Sequence, residues 1–366
     1  MRIVFVQVGL GAGGAEKVIS VLAEHELAKG NEVYVLSFAN SHKPSYFPYP
    51  QGVVLESPPS NAGADPRSKR RFWNYFWWLR RRIVVLRPDV VVSFLTKTNV
   101  LVLAATRGLK VPVVISERNN PLRQHANGIW PMLIRLLGRR ARSIVMQTDA
   151  ALAALPSELR GRATVIPNPA VIPAGLERSP GDGSRLVAVG RLERQKGFDL
   201  LIQAFHRARI ARPGLTLSIF GEGPERSSLE QQIHRLGISD RVALLGVTGK
   251  PCAWVEHGDI FVLSSRFEGF PNVLIEALSA GFPSVAFDCP WGPSSIIVDG
   301  RNGILVPAED VDAMAAGIVQ LAGDAALRER YSLAARTSMD RFSPRVVFGQ
   351  WDQVLTAATS ADRSRD

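Results

Sequence analysis

The sequence predicts an α/β protein built from two Rossmann-like, doubly wound domains. Its 366 residues exceed what a single hydrophobic core usually serves, so two domains are expected. Apolar, β-branched runs alternate with amphipathic stretches, which is the pattern of parallel strands joined by helices. That alternation stops at a segment rich in proline and glycine and then begins again. We therefore expect two domains of the same fold class, facing each other across a central cleft.

The first domain is predicted over residues 1–170 as a parallel sheet covered by helices. Short apolar runs without polar alternation are typical of strands that are buried on both faces. They occupy residues 3–8, 32–37, 90–94, 111–116 and 144–147. Ligands of such sheets bind at the carboxyl ends of the strands, so the loops after these runs are the candidate functional segments.

The second domain is predicted over residues 184–343, after a linker at residues 171–183 that proline and glycine interrupt. Its strands are expected at residues 186–189, 215–220, 242–245, 260–263 and 284–287. Residues 344–366 are predicted to form a closing helix, near 344–358, and a tail.

Composition excludes several classes of protein. Hydrophobic residues at 46% and charged residues at 21% are ordinary for a globular chain. The two cysteines, Cys252 and Cys289, exclude a disulfide framework, offer no metal-ligand spacing and fit a reducing compartment. No apolar run is long enough to span a bilayer. Residues 1–8 lead into glycines rather than a signal-peptide cleavage site, so they are interpreted as a buried strand.

The net charge of +11 is concentrated in the first half of the chain. Residues 1–170 hold 23 Lys and Arg against 10 Asp and Glu, and the remainder holds 21 against 23. This asymmetry predicts an anionic partner for the first domain, which could be a phosphate, a membrane surface or a nucleic acid.

A glycine-rich loop follows the first strand. Residues 9–14 fit the pattern G-x-G-x-x-G and precede a helix that is predicted from Ala15. Glycines at a helix N-terminus let backbone N–H groups approach a phosphate, although a purely structural tight turn explains the same residues. A nicotinamide dinucleotide is disfavoured, because residues 36–40 carry no acidic side chain for the ribose hydroxyls.

Two charged clusters follow strands of the second domain. Arg191 and Lys196 lie in the loop after its first strand, where the two side chains together can neutralise a diphosphate. Glu268 lies in a later loop and Glu276 in the helix after it, where carboxylates can accept hydrogen bonds from paired sugar hydroxyls. Taken singly, these residues also fit a solvated loop, an acid that complements a helix dipole, or an exposed helix acid.

Several motifs occur together and in a defined order. They are Gly13-Gly14-Ala15-Glu16, Gly190-Arg191 with Lys196-Gly197, Gly221-Glu222-Gly223-Pro224, Glu268 and Glu276 with seven residues between them, and Asp299-Gly300 followed by Asn302-Gly303-Ile304-Leu305-Val306-Pro307. With this set the chain resembles glycosyltransferase family 4, group 1, over essentially its whole length. The resemblance implies a GT-B fold, a nucleotide-sugar donor and transfer with retention of anomeric configuration.

The resemblance also implies roles for single residues. Arg191 and Lys196 would bind the donor diphosphate and stabilise its developing charge. Glu276 would hold the ribose, and Glu268 the hydroxyls of the transferred sugar. No enzymic nucleophile stands out, which is compatible with a front-face reaction in which the leaving phosphate helps to deprotonate the acceptor. The remaining implied contacts with the donor sugar or its phosphates are Gly269, Phe270, Pro271, Gly190, Gly13 and Gly14.

The acceptor side is expected in the basic first domain. Residues 92–99 and 115–121 lie at strand ends there and are similar to those of members that act on lipid-linked oligosaccharides. Many relatives have a histidine near the position of Glu117, whereas residues 115–121 contain none. Glu117 and Arg118 are therefore the acceptor-side candidates, with a salt-bridged structural pair as the alternative.

No metal or other cofactor is expected, because Arg191 and Lys196 can supply the positive charge and the nucleotide-sugar is a co-substrate. A cation at the diphosphate would need carboxylate ligands. The single D-x-D sequence, at residues 310–312, follows a predicted turn at residues 303–307. Acids at that position are typical of a helix cap.

Residues 67–87 combine aromatic side chains with clusters of arginine and lysine. Side chains at helical spacing are predicted to face the core: Phe72, Phe76, Leu79, Ile83 and Leu86. The apolar surface is broadened by Trp73, Trp77 and Trp78. Aromatic bodies with cationic rims suit the headgroup region of an anionic membrane. The alternative is a helix packed on the domain with solvated charges.

We therefore predict transfer of a hexose or N-acetylhexosamine from a nucleotide-sugar, expected to be a UDP-sugar, to a polyprenyl-diphosphate-linked glycan or polysaccharide precursor. The enzyme is expected in the cytoplasm, at the inner face of the cell membrane. A soluble small-molecule acceptor is one alternative. A nicotinamide-dependent oxidoreductase would explain residues 9–14 but leaves Glu268 and Glu276 unused. A nucleic-acid-binding protein would explain residues 67–87, but the donor motifs and near-neutral charge of the second half argue against it.

Overall fold

A computed structural model describes residues 1–38, 45–59, 69–118, 129–173, 176, 178 and 180–363, apart from the side chains of 69–72 and 361–363. The chain divides into two compact units. The first comprises Met1–Pro169 and Arg345–Asp366, and the second comprises Ala170–Pro344.

The first unit is a parallel sheet of seven strands in the order β3-β2-β1-β4-β5-β6-β7. The central strands are almost completely buried, because helices cover both faces of the sheet. The strands are β1 (Arg2–Gln7), β2 (Glu32–Ser37), β3 (Val54–Glu56), β4 (Val90–Phe94), β5 (Val113–Ser116), β6 (Ser143–Met146) and β7 (Ala163–Val165). The helices are α1 (Gly14–Ala28), α2 (Lys69–Leu86), α3 (Thr96–Ala105), α4 (Ile129–Leu137), α5 (Asp149–Ala153) and α6 (Ser157–Arg160), with a 3-10 turn at Gly138–Arg140.

The second unit is a parallel sheet of six strands in the order β10-β9-β8-β11-β12-β13. Its strands are β8 (Arg185–Val189), β9 (Thr216–Phe220), β10 (Val242–Gly246), β11 (Ile260–Leu263), β12 (Ser284–Asp288) and β13 (Ile304–Pro307). Its helices are α7 (Phe198–Ala211), α8 (Arg226–Arg235), α9 (Asn272–Ser279), α10 (Pro293–Ile296), α11 (Val311–Gly323) and α12 (Ala325–Ser338). Further 3-10 turns lie at Arg194–Lys196, Ala253–His257 and Met339–Phe342.

The last helix, α13 (Pro344–Arg363), returns to the first unit. Its buried side chains Val347, Trp351, Leu355 and Ala358 belong to the same hydrophobic core as α1 and the central strands. The second unit has its core on both faces of its own sheet. The chain therefore starts and finishes in one unit, with the second unit built from a single continuous segment.

The predicted fold class is confirmed, since both units are parallel α/β sheets with the strand order of a doubly wound fold. All ten predicted strands are present, with ends shifted by no more than two residues. Three strands were not predicted, and one of them, β13, replaces the turn expected at residues 303–307. These three strands, β3, β7 and β13, each lie at a sheet edge and are only partly buried, so they lack the continuous apolar run of a central strand.

Each sheet reverses its winding direction at one point, between β1 and β4 in the first unit and between β8 and β11 in the second. In open α/β sheets, ligands bind outside the carboxyl ends of the strands at this switch point. The loops that follow β8 and β11 contain Lys196 and Glu268, and the loop that follows β1 contains Gly13. In the second unit the fold therefore brings Lys196 and Glu268, which are far apart in sequence, to one sheet edge, and Gly13 lies at the corresponding edge of the first sheet.

Candidate functional site

Two loops of the second unit are joined by hydrogen bonds at the carboxyl edge of its sheet. The first loop follows β8 and the second follows β11, and these strands pair directly. The backbone N–H of Arg266 donates to the carbonyl of Gln195 over 2.8 Å, and Gln195 Nε2 donates to the carbonyl of Phe267 over 3.0 Å. Ser264 Oγ donates to the carbonyl of Lys196 over 2.9 Å. The two loops thus form one rigid surface.

At the centre of this surface Lys196 and Glu268 form an ion pair. Lys196 Nζ lies 2.7 Å from Glu268 Oε1, and the same oxygen accepts a hydrogen bond of 2.6 Å from Ser265 Oγ. Only 16% of the Lys196 side chain and 7% of the Glu268 side chain are exposed. Two residues predicted to bind different parts of a donor are therefore in direct contact, and each compensates the buried charge of the other.

Glycines allow the loops to approach this closely. Gly197, between the 3-10 turn and α7, has φ of 64°, and a Cβ there would collide with the backbone carbonyl of Ser264. At Gly190 a Cβ would lie 3.1 Å from the aliphatic chain of Lys196. The lysine therefore crosses over Gly190 on its way to Glu268, and a side chain at position 190 would push it away.

Arg266 binds the two loops together, although the sequence analysis assigned it no role. Its Nη1 and Nη2 each lie 2.7 Å from one carboxylate oxygen of Asp199, in α7. Its Nε donates to Glu309 over 3.0 Å, and its Nη1 also donates to the carbonyl of Arg194 over 2.9 Å. Burial opposes ionisation of Asp199, but the hydrogen bonds and charge of Arg266 hold its pKa below the usual value. The position of Arg266, two residues before the predicted donor residue Glu268, was the available signal.

The other predicted donor residues occupy different positions. Arg191 is exposed, and its Nη1 lies 2.8 Å from Glu193 rather than at the Lys196–Glu268 pair. Glu276 is buried in the second turn of α9. Gly190 follows β8 directly, and Gly269 lies between Glu268 and the start of α9. The structure thus joins two of the predicted residues and places the others on the same two strand-end segments.

Phe270 and Pro271 sit where the second loop enters α9. The Phe270 ring is buried and packs edge-on against Phe342, with 5.6 Å between the ring centroids. Pro271 is the N-cap of α9. A Cβ on Gly292 would lie 2.7 Å from Pro271 Cδ and 3.4 Å from Glu268 Cβ. The side chain of Phe270 therefore belongs to the core, and its role in lining a sugar pocket stays a prediction.

Cys289, directly after β12, is a buried neighbour of the ion pair. Burial raises the pKa of its thiol, the negative charge of Glu268 raises it further, and the positive charge of Lys196 opposes both effects. The thiol is therefore kept in its neutral form, as a small apolar side chain beneath the site.

In the first unit, the glycine loop begins α1 as predicted, with Gly13 as its N-cap and Gly14 as its first residue. The carboxylate of Glu16 lies against Gly13, where an added Cβ would collide with it. An anion that approaches this helix N-terminus would have to displace the Glu16 carboxylate, which already complements the positive end of the helix dipole.

Glu117 is the centre of a buried polar network between β5 and α3. It accepts hydrogen bonds of 2.7 Å from Thr96 Oγ1 and from Asn99 Nδ2. Asn99 Oδ1 accepts from Ser93 Oγ over 2.8 Å. Burial raises the pKa of Glu117, and the hydrogen bonds from Thr96 and Asn99 offset part of that effect. Leu95, which precedes α3, has φ of 76°, an unfavourable conformation for leucine that places strain at this strand end.

Arg118, the next residue, contacts a different set of groups. Its Nη1 donates to Asn168 Oδ1, which also accepts a hydrogen bond of 2.9 Å from Gln147 Nε2. Its guanidinium carbon lies 4.6 Å from the ring centroid of Phe94 and 5.7 Å from that of Trp351. Burial lowers the pKa of Arg118 to about 9. The alternative of a Glu117–Arg118 salt bridge is wrong, because successive residues after the strand turn to opposite sides of it.

Helix α2 spans the described part of the basic aromatic segment. Its side chains Leu79, Ile83 and Leu86 are buried, as predicted, and Phe76 is half-buried. Residues 67–68 and the side chain of Phe72 lie outside the described part of the chain. Trp73 and Trp77 are exposed, the latter by 60%. Trp78 instead packs against Phe38, with 6.2 Å between the ring centroids.

The arginines of α2 divide into two groups. Arg80 donates to the carbonyls of Ala105 and Arg107 over 2.7 and 2.8 Å, and Arg82 forms a bidentate pair with Glu56 at 2.6 Å. Both are held on the domain, whereas Arg81 is exposed. Of these three cations, Arg81 is therefore the one that projects from the same side of α2 as Trp77.

Helix α4 has an exposed apolar stripe that the sequence analysis did not recognise. Ile129, Met132 and Leu136 recur at helical spacing, and their exposed fractions rise from 50% to 67%. Arg139 and Arg140, in the following 3-10 turn, are also exposed. Both α2 and α4 pack against α3, so the two stripes flank one helix on one face of the sheet.

Carboxylate clusters in the described part of the chain have other partners. Asp310 caps α11 through a 2.9 Å hydrogen bond from the backbone N–H of Ala313, and Asp312 pairs with Arg207. Over the described ranges, the single group with the spacing of metal ligands is His25, Glu26 and Asp352. Lys29 Nζ lies 2.6 Å from Asp352, so an ammonium group already provides the positive charge there.

Two family models match the chain, one in each half of the sequence. The model described as Glycosyltransferase Family 4 matches residues 12–171, and the model described as Glycosyl transferases group 1 matches residues 183–324. The two matches fall almost entirely within the first and second units, respectively.

Several curated relatives also match the chain, among them named glycosyltransferases. The chain is 26% identical over 99% of its length, and over 100% of the relative, to a Campylobacter jejuni α-1,4-N-acetyl-D-galactosaminyltransferase named for a PP-undecaprenol-linked substrate. It is 33% identical over 77% of its length to an exopolysaccharide phosphotransferase of Streptomyces coelicolor, of which it spans only 30%. For several other curated relatives the chain spans about half of their length.

A solved structure extends the likeness to the fold. A mutant of S. aureus TarM, in complex with fondaparinux, α-GlcNAc-glycerol and UDP, has a TM-score of 0.82 at 13% identity, with 97% of this chain and 99% of that chain covered. At this level of identity the likeness concerns the GT-B fold alone.

Proposed function

Since the chain belongs to glycosyltransferase family 4, group 1, we propose that it transfers a hexose or N-acetylhexosamine from a nucleotide-sugar to a lipid-linked glycan, with retention of configuration. The second unit would bind the donor, and the first unit the acceptor. The observation that carries this proposal is the buried Lys196–Glu268 pair at the switch point of the second sheet.

The chemistry of this pair suits a sugar diphosphate. Lys196 provides a positive charge for the departing phosphate, with Arg191 nearby in sequence as a second cation. Glu268 provides acceptor oxygens for the hydroxyls of the transferred sugar. Two cations make a metal ion unnecessary for charge neutralisation, and we propose a metal-independent reaction. A UDP-sugar is favoured because the TarM complex of the same fold contains UDP.

Retention is proposed to proceed at the front face of the sugar. The phosphate oxygen that leaves would accept the proton of the attacking acceptor hydroxyl, and Lys196 would stabilise the negative charge that develops on that phosphate. The leaving-group bond breaks as the new glycosidic bond forms on the same face. Such an electrostatic contribution requires that the cation be held in place beforehand, and the two bonded loops supply that rigidity.

A membrane-bound acceptor is supported by the surface of the first unit. The Campylobacter jejuni relative is named for a PP-undecaprenol-linked glycan. Trp77 on α2 and Leu136 on α4 are exposed apolar side chains beside exposed arginines, a combination that suits an anionic interface. None of the helices in the described part of the chain is long and apolar enough to cross a bilayer. We propose peripheral association with the inner face of the cell membrane.

The donor assignment is tested by thermal unfolding with a panel of nucleotide-sugars, followed by assays of sugar transfer to a lipid-linked acceptor. One nucleotide class should raise the unfolding temperature of the wild type, because a ligand that binds the native state stabilises it. Lys196→Met should lower turnover by about 100-fold or more, which is typical for loss of one preorganised group that stabilises developing charge. Glu268→Gln, which keeps a hydrogen-bond partner for Ser265, should also lower turnover strongly.

Arg207→Lys is the matched control, since Arg207 lies on α7 and pairs with Asp312 at the surface. It should leave turnover and donor binding unchanged. Near-normal transfer by the Lys196 and Glu268 variants would overturn the assignment of the site.

A further inference from the structure

Arg118 has an unusual environment for a buried cation. Only 6% of the residue is exposed, and its Nε and Nη2 have no hydrogen-bond partner among the residues that the structure describes. Its one described polar contact is the hydrogen bond from Nη1 to Asn168. A buried guanidinium normally has its donors satisfied, because each unpaired donor in a desolvated position destabilises the fold.

No acidic side chain offsets this charge within the described ranges. Burial is the one cause that lowers the pKa of Arg118 to about 9. Glu117, its neighbour in sequence, is bonded to Thr96 and Asn99 on the other side of the strand end. The guanidinium therefore keeps its charge near neutral pH, with no counter-anion in the part of the chain that the structure describes.

The two unpaired donors are on the same edge of the guanidinium. Nε and Nη2 form one of the two parallel forks with which arginine binds a carboxylate or a phosphate through two hydrogen bonds. The orientation of that fork is fixed by the hydrogen bond from Nη1 to Asn168 and by the contacts of the guanidinium with the rings of Phe94 and Trp351. A fork held this way loses little freedom when an anion binds.

The position of this fork in the fold is that of a ligand-binding residue. Arg118 follows β5 at the carboxyl edge of the first sheet, next to the strand after the switch point. The first half of the chain also carries the excess of positive charge, with 23 Lys and Arg against 10 Asp and Glu in residues 1–170. An anionic group is thus favoured both locally and by the field of the unit.

We propose that the Nε–Nη2 edge of Arg118 binds an oxyanion of the acceptor, either a phosphate of its lipid diphosphate or a carboxylate of an acidic sugar. This inference rests on the proposed function, because it assigns the acceptor to the first unit. It assigns to Arg118 direct contact with the acceptor.

The test measures anion binding by calorimetry and by thermal unfolding, with inorganic pyrophosphate and with D-glucuronate as probes. It is carried out in a Lys196→Met background, so that pyrophosphate bound at the donor loops does not contribute. Arg118→Lys keeps the charge but loses the planar fork, and Arg118→Met removes both. We expect at least a tenfold weaker affinity for the effective probe in Arg118→Lys and no binding in Arg118→Met.

Two further outcomes distinguish the sources and the roles. Binding of pyrophosphate alone identifies the lipid diphosphate, and binding of glucuronate alone identifies an acidic sugar. Without a probe, Arg118→Met should unfold at a temperature equal to or higher than that of its background, because an uncompensated buried charge has been removed. If Arg118→Met is too unstable to measure, the test depends on the affinity of Arg118→Lys for the probes and on the acceptor KM of Arg118→Lys in a protein that retains Lys196.

The proposal would be overturned if each probe bound the background, Arg118→Lys and Arg118→Met with the same affinity. It would also be overturned if neither probe bound the background that retains Arg118. Either result leaves the donor assignment intact, since that depends on nucleotide-sugar binding to the second unit. Conversely, if the wild-type protein binds no nucleotide-sugar but still binds an anion through Arg118, the proposed function is refuted and the anion site remains.

Discussion

Arg266 offers the sharpest test of how the donor site is held together. We predict that Arg266→Ala lowers turnover by about 10- to 100-fold without Arg266 contacting the substrate. Its guanidinium joins α7, the loop after β8 and the loop after β11 through bonds to Asp199, Glu309 and the carbonyl of Arg194. Without it, the distance between Lys196 and Glu268 is no longer fixed, and a displacement of about 1 Å at a reacting centre can cost about 100-fold in rate.

The expected effect on stability follows from the same contacts. A hydrogen bond to a charged group contributes about 1.5–3 kcal/mol when it is buried, and less here because Asp199 and Glu309 are 40% and 52% exposed. We therefore expect Arg266→Ala to lower the free energy of unfolding by about 2 kcal/mol. For a domain of this size that corresponds to a fall of roughly 4–8 °C in Tm.

A double-mutant cycle with Asp199→Asn separates the pair from its surroundings. The coupling energy should be about 1–2 kcal/mol, because residues in direct contact are not additive. In the kinetic assay kcat should fall while the acceptor KM stays constant. Adding Arg266→Ala to Lys196→Met should cause little further loss, because Arg266 acts through Lys196. Arg266→Lys should recover part of the activity.

Arg207 again provides the control, here as Arg207→Ala, because this change removes an exposed α7 arginine that also pairs with an aspartate. It should cost less than about 0.5 kcal/mol and leave kcat unchanged. If Arg266→Ala behaved like Arg207→Ala in both measurements, or lowered stability with kcat unchanged, the positioning role would be wrong.

Two further predictions concern the first unit. Because burial raises the pKa of Glu117, its ionisation opposes folding. The resulting decrease in the free energy of unfolding is absent below the ordinary carboxyl pKa, grows as pH rises above it, and is complete above the raised pKa. Glu117→Gln should therefore be more stable than wild type at about pH 8, with the difference vanishing toward about pH 4, and a pH-independent difference in Tm would contradict this reasoning. For membrane association, combined Trp77→Ser and Leu136→Ser should lower co-sedimentation with anionic liposomes by about tenfold or more. The reason is that burial of each apolar side chain contributes a free energy of about 1.5–3 kcal/mol. The matched pair Leu245→Ser and Leu333→Ser, exposed leucines of the second unit, should bind liposomes like wild type, and equal binding by both pairs would rule out the α2–α4 face.

The central strands could be predicted because burial on both faces imposes a simple pattern. β11 is a continuous apolar run and β4 is apolar apart from Ser93, and the observed bounds of both coincide with the predicted ones. The sequence predicts a turn in place of β13, because this strand begins after Gly303 and ends in Pro307. As an edge strand it pairs only with β12, and proline is tolerated at a position that need not donate to a neighbour. Edge strands do not show the continuous apolar run of a central strand, because only part of each edge strand is buried.

Of the candidate site, only the proximity of its loops could be predicted, because the carboxyl ends of parallel strands lie at the same edge of a sheet. Lys196 and Glu268 are 72 residues apart, and their loops were expected at the same sheet edge, but the sequence does not indicate that the two side chains pair. The same holds for Arg266 and Asp199, whose contact depends on the packing of α7 beside the second loop. The sequence does not predict that the apolar stripe on α4 is exposed, because the same residues fit a helix with either face buried.

Charge compensation separates the two proposed binding regions. At the donor loops, Lys196 is paired with Glu268 and Arg266 with Asp199, so these charges remain favourable while buried. At the end of β5, Glu117 and Arg118 are adjacent in sequence yet turn to different partners, and burial pushes the pKa of the acid up and that of the base down. An acceptor that brings its own anion would supply the counter-charge that Arg118 lacks among the described residues. A donor that enters the second unit must instead replace a contact that Lys196 already makes. Substitutions at Arg118 should therefore reduce acceptor affinity while sparing the fold, whereas substitutions at Lys196 should affect both, since they leave Glu268 buried without its partner.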